Sequence, residues 1–396
     1  MKVAFLTSGG IAPCLSSSIA RMIYSYSKLN KDIEFIGYLH GYKGLLTGKK
    51  IIISKEDISN IEILYDYGGT FLGNSRVKLT NVEDCIIKGY IKSSENPLEV
   101  AANQLLKDKI DVLHTIGGDD TNTTAADLVN FLKAKGHELT VVGLPKTIDN
   151  DIIPVSQSLG AYTAAKQSAL FFKNIVNENT TSSRQLIIHE VMGRNCGWLT
   201  AYSAHIYRKN ILSKMNFLQN LGVVSEKWDI HAIYIPEEKF DLETESARLK
   251  KNMDKYDCVN IFLSEGAGID NVINEKKKRG EKIKLDAFGH VRLDEINPGK
   301  WYSSYFKKKL KCDKVLVQKS GYFSRSSSPS KEDLKLIFLH ADFAVNIAMK
   351  KQSGVIGIHD KSQKISCINF SEIKGHKLFD VSVGWYKQLK KDINQS

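Results

Sequence analysis

The chain has 396 residues, 42% of them apolar and 25% charged, with a formal net charge of +12. That length allows two or three domains with an adequate core. No stretch approaches the roughly 20 apolar residues of a membrane span. With no helix-turn-helix, zinc-finger or RNA-platform signature, the positive charge reads as a lysine-rich surface plus a phosphate-binding cleft, not as nucleic-acid binding. Six cysteines without C-x-x-C spacing look like ordinary intracellular thiols. The Met1–Thr7 stretch is too short for a signal peptide, whose apolar region needs about 7–15 residues, so the cytoplasm is the expected location.

Strand and helix signals alternate along the chain. Val3 to Thr7 predicts a strand, and Ser8-Gly9-Gly10 a tight turn after it. Ser16 to Lys28 has helical spacing, with Ile19, Met22 and Ile23 on one side. Glu34 to Leu39 is the next strand. Asn96 as N-cap and Pro97 at the first helical position open a helix through Lys107. Val112 to Ile116 is a buried strand, followed by Gly117-Gly118-Asp119-Asp120-Thr121 and a helix to about Ala134. Leu139 to Leu144 leads into Pro145-Lys146-Thr147-Ile148-Asp149-Asn150-Asp151. A second series follows: a helix from Tyr162 to Val176, a strand from Gln185 to Glu190 running into Met192-Gly193-Arg194, and a strand from His231 to Ile235. A charged helix from Glu243 to Lys255 and a strand from Val259 to Leu263, ending in Ser264-Glu265-Gly266, complete it. The expected class is α/β, with two Rossmann-like three-layer domains of mostly parallel sheets and a cleft between them. The first spans 1–155 with a return segment near 290–350; the second spans 156–289 with the C-terminal segment. Ser324 to Ser330 reads as a loop, and the lysine runs at 276–278 and 307–309 as solvated faces.

The acidic turns carry most of the chemistry. Ligands of open α/β sheets bind at the carboxyl ends of strands, so the 117–121 and 145–151 segments should line one crevice. Carboxylates crowded there repel one another unless a cation intervenes. Asp119 and Asp120 behind two glycines suit Mg²⁺, which takes one or two carboxylates plus phosphate oxygens and water; a helix N-cap is the plainer reading of one of them. In the 145–151 segment an aspartate can take the proton of an attacking hydroxyl, and Lys146 can offset charge on a transferred phosphoryl group; the plainer reading is a polar loop with an Asx turn. Gly9 and Gly10 let backbone N–H groups approach a phosphate at a helix N-terminus, though such turns are common. The Gly68–Arg76 loop ends in a guanidinium able to grip a phosphate, or is simply a surface turn. Arg194 and Glu265 at later strand ends would suit a sugar phosphate and its hydroxyls.

In this order the motifs resemble the phosphofructokinase family over nearly the whole chain. The likeness includes the Gly9-Gly10 turn, the Gly68–Arg76 loop, Gly117-Gly118-Asp119, Thr147-Ile148-Asp149-Asn150-Asp151, Met192-Gly193-Arg194 and Ser264-Glu265-Gly266. The resemblance implies phosphoryl transfer to O1 of fructose 6-phosphate. It makes Asp149 the general base, with Lys146, Thr147 and Asp151 beside it in the catalytic group, and Asp119 the Mg²⁺ ligand. Gly9, Gly10, Arg76 and Gly118 would bind the donor phosphates. Thr147, Ile148, Asp149, Met192, Gly193, Arg194 and Glu265 would bind the sugar phosphate, in the second domain for the last four. A homodimer or homotetramer is expected by the same analogy.

Departures from the family pattern bear on the donor. ATP-dependent members carry glycine where Asp120 and Lys146 stand here; this pairing resembles the pyrophosphate-dependent branch. A carboxylate fills the space that glycine leaves for the α-phosphate of ATP and repels its charge, whereas Lys146 can reach a short diphosphate. Tyr322-Phe323-Ser324-Arg325 resembles the Tyr-x-x-Arg sugar-phosphate motif of that branch, adding Tyr322 and Arg325 to the substrate set. Ile11 and Cys14 stand where ATP enzymes have Asp and Gly. The family's arginine ahead of Met-Gly-Arg falls in register on Gln185, with Arg184 beside it, and Phe288-Gly289-His290 resembles a substrate-contacting stretch with Lys284 and Arg292 nearby. An ATP-dependent phosphofructokinase, a sedoheptulose-7-phosphate kinase and a non-catalytic sugar-phosphate-sensing subunit are the alternatives.

Overall fold

The computed structural model describes residues 1–278, 280 and 297–395; Lys284, Arg292 and the Phe288–His290 stretch lie outside them. The strands, in chain order, are β1 (Lys2–Thr7), β2 (Glu34–Tyr38), β3 (Lys50–Ile53), β4 (Val112–Gly117), β5 (Thr140–Pro145), β6 (Gln185–Val191), β7 (Ala232–Tyr234), β8 (Cys258–Ser264), β9 (Lys314–Lys319), β10 (Gly354–Ile358) and β11 (Ile365–Ile368). They fall into two compact units. One comprises Met1–Ala164 with Arg325–Lys377, the other Ala165–Ser324 with Leu378–Ser396.

The first unit holds a seven-stranded sheet in the order β11-β10-β5-β4-β1-β2-β3. The strands from β10 to β2 run parallel, and the edge strands β3 and β11 pair antiparallel. Alternate residues of a strand face opposite sides, and β1 shows it: Val3 and Phe5 enter one apolar cluster, Ala4 and Leu6 the other. The Leu15–Leu29 and Lys331–Met349 helices cover the first face, and the Pro97–Asp108 and Asp119–Ala134 helices the second. Three layers result. Asn96 caps the Pro97–Asp108 helix by accepting from Leu98 N and Glu99 N, as its sequence requires. The chain steps from β1 to β2 on one side and to β4 on the other. The switch point where open sheets bind ligands therefore lies at the ends of β1 and β4.

The second unit holds a four-stranded parallel sheet, β7-β8-β6-β9. Leu186 and Ile188 of β6 join Val259, Ile261 and Leu263 under the Leu242–Tyr256 and Pro298–Leu310 helices. Ile187 and His189 point to the opposite face, where the His189 ring stacks on Phe172 with centroids 5.7 Å apart.

The return into the first unit begins at Arg325 rather than near 290, and runs to Lys377. The physical reason is that β9 pairs with β6 and the Pro298–Leu310 helix buries Tyr302, Phe306 and Leu310 against the second sheet. The serine-rich stretch ends as a cap: Ser330 Oγ accepts from Asp333 N at the start of the Lys331–Met349 helix. Among the described residues no helix is long and apolar enough to cross a membrane.

Candidate active site

Three turns of the first unit meet because β1, β4 and β5 are neighbours. Ser8 N donates to Ile116 O at 3.1 Å and Lys146 N to Gly117 O at 2.8 Å, tying the turns after β1 and β5 to the end of β4. The Lys146 side chain is 5% exposed and lies back over the β1 turn, where Nζ donates to Gly10 O at 2.6 Å. Gly9 has φ +84°, and a methyl group there would sit 3.3 Å from Lys146 Nζ. Burial, with Arg76 adding to the effect, pulls the Lys146 ammonium down to about 8. The glycine-rich loop closes the same turn: Gly9 N donates to Ser75 O at 2.9 Å and Asn74 Nδ2 to Gly10 O at 3.2 Å. Arg76, at the loop's end, is exposed. Arg325 also approaches this turn, its Nη1 lying 4.0 Å from where a Gly10 side chain would begin.

Gly118 caps the Asp119–Ala134 helix, so both aspartates stand in its first turn, where the helix dipole favours negative charge. They then diverge. Asp120 is exposed and pairs with Lys78 at 2.8 Å. Asp119 turns toward Gly375, where an added methyl group would lie 2.0 Å from Asp119 Oδ2. Gly375 belongs to a strap running antiparallel to the 151–153 backbone. Ile153 N donates to Lys374 O at 2.8 Å, Lys374 N to Ile153 O at 3.1 Å, and Lys377 N to Asp151 O at 2.8 Å. The Asp151 carboxyl is raised above the usual range, by burial first and by the Asp119 charge, while the Thr147 hydroxyl and His376 oppose the shift. Among the described residues no group of three or more His, Cys, Asp or Glu gathers as a metal cage. The Asp119–Asp151 pair instead fits a cation held by two carboxylates, with phosphate oxygens and water completing its shell.

Asn150 explains how Thr147, Ile148 and Asp149 are presented. Its φ is +57°, a left-handed conformation that asparagine tolerates. Its buried side chain accepts from Ser158 N at 2.8 Å and donates to Ser156 O at 3.3 Å. Ser158 Oγ donates to Thr147 O at 2.9 Å, and Thr147 Oγ1 accepts from Asp149 N at 3.2 Å. The loop closes on itself and leaves Thr147, Ile148 and Asp149 half-buried.

In the second unit the turns after β6 and β8 interlock. Glu265 N donates to Val191 O at 2.9 Å, and Ser264 Oγ donates to Gly193 O. Gly193 has φ +131°, and a methyl group on Gly266 would lie 1.8 Å from Arg194 O. Burial raises the Glu265 carboxyl; a bond from Gly193 N and the charge of Arg194 act against it. Arg194 and Tyr322 are exposed, the latter by 73%. Gly321, beside Tyr322, packs on Met192: a methyl group there would meet Met192 Cε at 2.5 Å. Arg184 does not extend from its unit. Its guanidinium donates to Lys311 O at 2.8 Å and Leu310 O at 2.5 Å and pairs with Asp254 at 3.0 Å. Gln185 is wholly buried in β6.

The structure thus gathers Gly9, Gly10, Arg76, Gly118, Asp119, Asp120, Lys146, Thr147, Ile148, Asp149, Asp151 and Arg325 in the first unit. Met192, Gly193, Arg194, Glu265 and Tyr322 lie at strand ends of the second. Sequence reasoning missed Lys78 and the Lys374–Lys377 strap. Neither carries a local motif, and each reaches its aspartate only through the fold.

The parallel α/β sheets with glycine turns at the switch point are those of a nucleotide- or phosphate-binding class of fold, and the phosphofructokinase family model matches residues 2–348. The chain belongs to that family. Relatives named pyrophosphate–fructose 6-phosphate 1-phosphotransferase include the Methylomonas methanica protein, 50% identical over 100% of this chain and 96% of its own length. The Mastigamoeba balamuthi protein of the same name is 50% identical over 99% and 96%. Among solved structures, the pyrophosphate-dependent phosphofructokinase of Marinobacter aquaeolei shares the fold, with a TM-score of 0.73 at 20% identity over 100% of this chain and 92% of that one.

Proposed function

We propose that this chain is a reversible, Mg²⁺-dependent phosphotransferase that moves a phosphoryl group from diphosphate to O1 of fructose 6-phosphate, giving fructose 1,6-bisphosphate. It would act in the cytoplasm as a homodimer or homotetramer. The observation that carries the donor assignment is Lys146. Its buried ammonium lies on the β1 turn against Gly10 O, at a chain position where ATP-dependent members carry glycine, and from there can reach a short diphosphate. Full-length relatives at 50% identity bearing the diphosphate name support the same reading.

In this reading the first unit binds the diphosphate and the second the sugar phosphate. Asp149 takes the proton from O1 as that oxygen attacks the terminal phosphorus; the bridging P–O bond breaks and inorganic phosphate leaves. Thr147 orients the loop that presents the base, holding Asp149 N at 3.2 Å. Lys146, Arg76 and the backbone N–H groups of Gly9, Gly10 and Gly118 oppose charge on the donor. Asp119 and Asp151 would hold the cation, which neutralises phosphoryl oxygens and aligns donor and acceptor when bound. Arg194 and Tyr322 would take the sugar's own phosphate, and Glu265, with Met192 and Gly193 beside it, the sugar hydroxyls. Little free energy separates the two phosphoryl carriers, so the reaction runs both ways; the rate comes from positioning and electrostatics.

Initial rates with diphosphate or ATP as donor, in both directions, test this. Turnover with diphosphate, forward and reverse, is expected; a preference for ATP would overturn the donor assignment.

A further inference from the structure

The strand that ends in Met192-Gly193-Arg194 carries a buried histidine to which the mechanism gives no task. His189 is wholly buried in β6, stacked on Phe172 at 5.7 Å and edge-on to Phe262 at 4.7 Å. Nε2 lies 2.7 Å from Ser320 Oγ, while Nδ1 is buried without a partner among the described residues. A buried N–H without an acceptor costs more than a lone pair without a donor, so the proton belongs on Nε2. Burial pushes the imidazole down to about 3, leaving it neutral with that single donor.

The hydrogen bonding continues beyond the ring. Ser320 Oγ is 3.0 Å from Ser168 Oγ, and Ser168 Oγ is 2.8 Å from Ser324 Oγ. Nε2–H donating to Ser320 sets the first link; in the two Ser–Ser bonds beyond it either hydroxyl can be the donor. Ser320 and Ser324 bracket Gly321 and Tyr322, and Ser324 N donates to Ser320 O at 2.8 Å. Gly321 rests directly on Met192. One buried network therefore couples the strand bearing Met192 to the short helix Gly321–Arg325.

We propose that His189 is a positioning residue for sugar-phosphate recognition: through Ser320 and Ser168 it fixes the Gly321–Arg325 helix against Met192 and so sets where Tyr322 stands. The inference rests on the assignment of fructose 6-phosphate as acceptor.

His189→Phe keeps a ring for the aromatic stack and removes the donor; His189→Gln keeps a side-chain N–H. For His189→Phe the KM for fructose 6-phosphate should rise about tenfold, the effect of one lost buried hydrogen bond, while the KM for diphosphate stays at the wild-type value. His189→Gln should recover most of the loss, and His189→Phe with Ser320→Ala should be no worse than either alone, the mark of one shared network. If His189→Phe does not fold, Ser168→Ala interrupts the same chain and should give the same selective rise. An unchanged KM for fructose 6-phosphate, or equal rises for both substrates, would overturn the proposal. Wild-type protein inactive with fructose 6-phosphate and diphosphate would overturn the functional reading as well, which separates the two failures.

Discussion

The lysine at the strand-end turns of the first unit and the arginine at those of the second are held in opposite ways. In the first, Lys146 is buried, its ammonium already on Gly10 O, and Asp119 is pressed by the backbone of a strap from near the end of the chain. In the second, Arg194 and Tyr322 are exposed, and what is locked is the backbone beneath them, through the tight approach of Gly266 to Arg194 O. Reaction chemistry gains from groups fixed before substrate arrives, because no reorganisation is then needed in the transition state. An arginine that is to grip a substrate's phosphate has no such requirement. The difference is the one expected if the first unit performs the transfer and the second holds the acceptor.

The largest effect should come from the base. Asp149→Ser should lower kcat by roughly 10²–10⁴-fold, with KM for fructose 6-phosphate little changed; near-normal turnover would remove Asp149 from that role. Next, Asp120→Gly combined with Lys146→Gly should abolish measurable diphosphate use, read by donor-dependent initial rates, and opens the turn to ATP. Paired glycine substitutions sharpen the contrast between the units. Gly375→Ala should lower kcat by up to about a hundredfold, the cost of a group misplaced by ~1 Å, and raise the Mg²⁺ concentration for half-maximal rate. Gly266→Ala should instead raise KM for fructose 6-phosphate and leave the Mg²⁺ requirement alone. If both variants change the same parameter, the division between units fails.

The pH profile tests Lys146 more gently. Its ammonium is held down to about 8, so it is charged below that pH and neutral above. The kcat/KM for diphosphate should be flat on the acid side of this limb and fall as pH rises through about 8. Lys146→Arg should move the limb out of range, since a guanidinium stays protonated throughout. The smallest effect belongs to Lys78→Ala. An exposed ion pair contributes about 0–1 kcal/mol, so the melting temperature should barely move. Freed from Lys78, Asp120 should raise the KM for diphosphate about twofold to fivefold at low salt, less at high salt where exposed charges are screened.

Much of this was readable along the chain. The strands Val3–Thr7, Val112–Ile116 and Leu139–Leu144 and the Asn96-Pro97 helix start fall within a residue or two of where they form. Continuous apolar runs and N-cap chemistry act over a few residues, so the signal is local. The edge strands β3 and β11 and the long Lys331–Met349 helix were not anticipated, since their patterns make sense only against the sheet they cover. The family register falls on Gln185, with Arg184 beside it. The fold uses Arg184 on Leu310 O, Lys311 O and Asp254, partners that register alone does not reveal.

The sequence by itself determined which residues carry charge at the strand ends and, through Asp120 and Lys146, which donor to suspect, because residue type and spacing after an apolar run fix what a turn can present. Only the tertiary structure decided how that charge is held. Asp120 stands out on Lys78, Lys146 lies buried on Gly10 O, and the Lys374–Lys377 strap closes on Asp119 and Asp151. Those partners are far apart in the chain, and an ion pair, a desolvated amine or a backbone pressed on a carboxylate exists only once packing has brought them together.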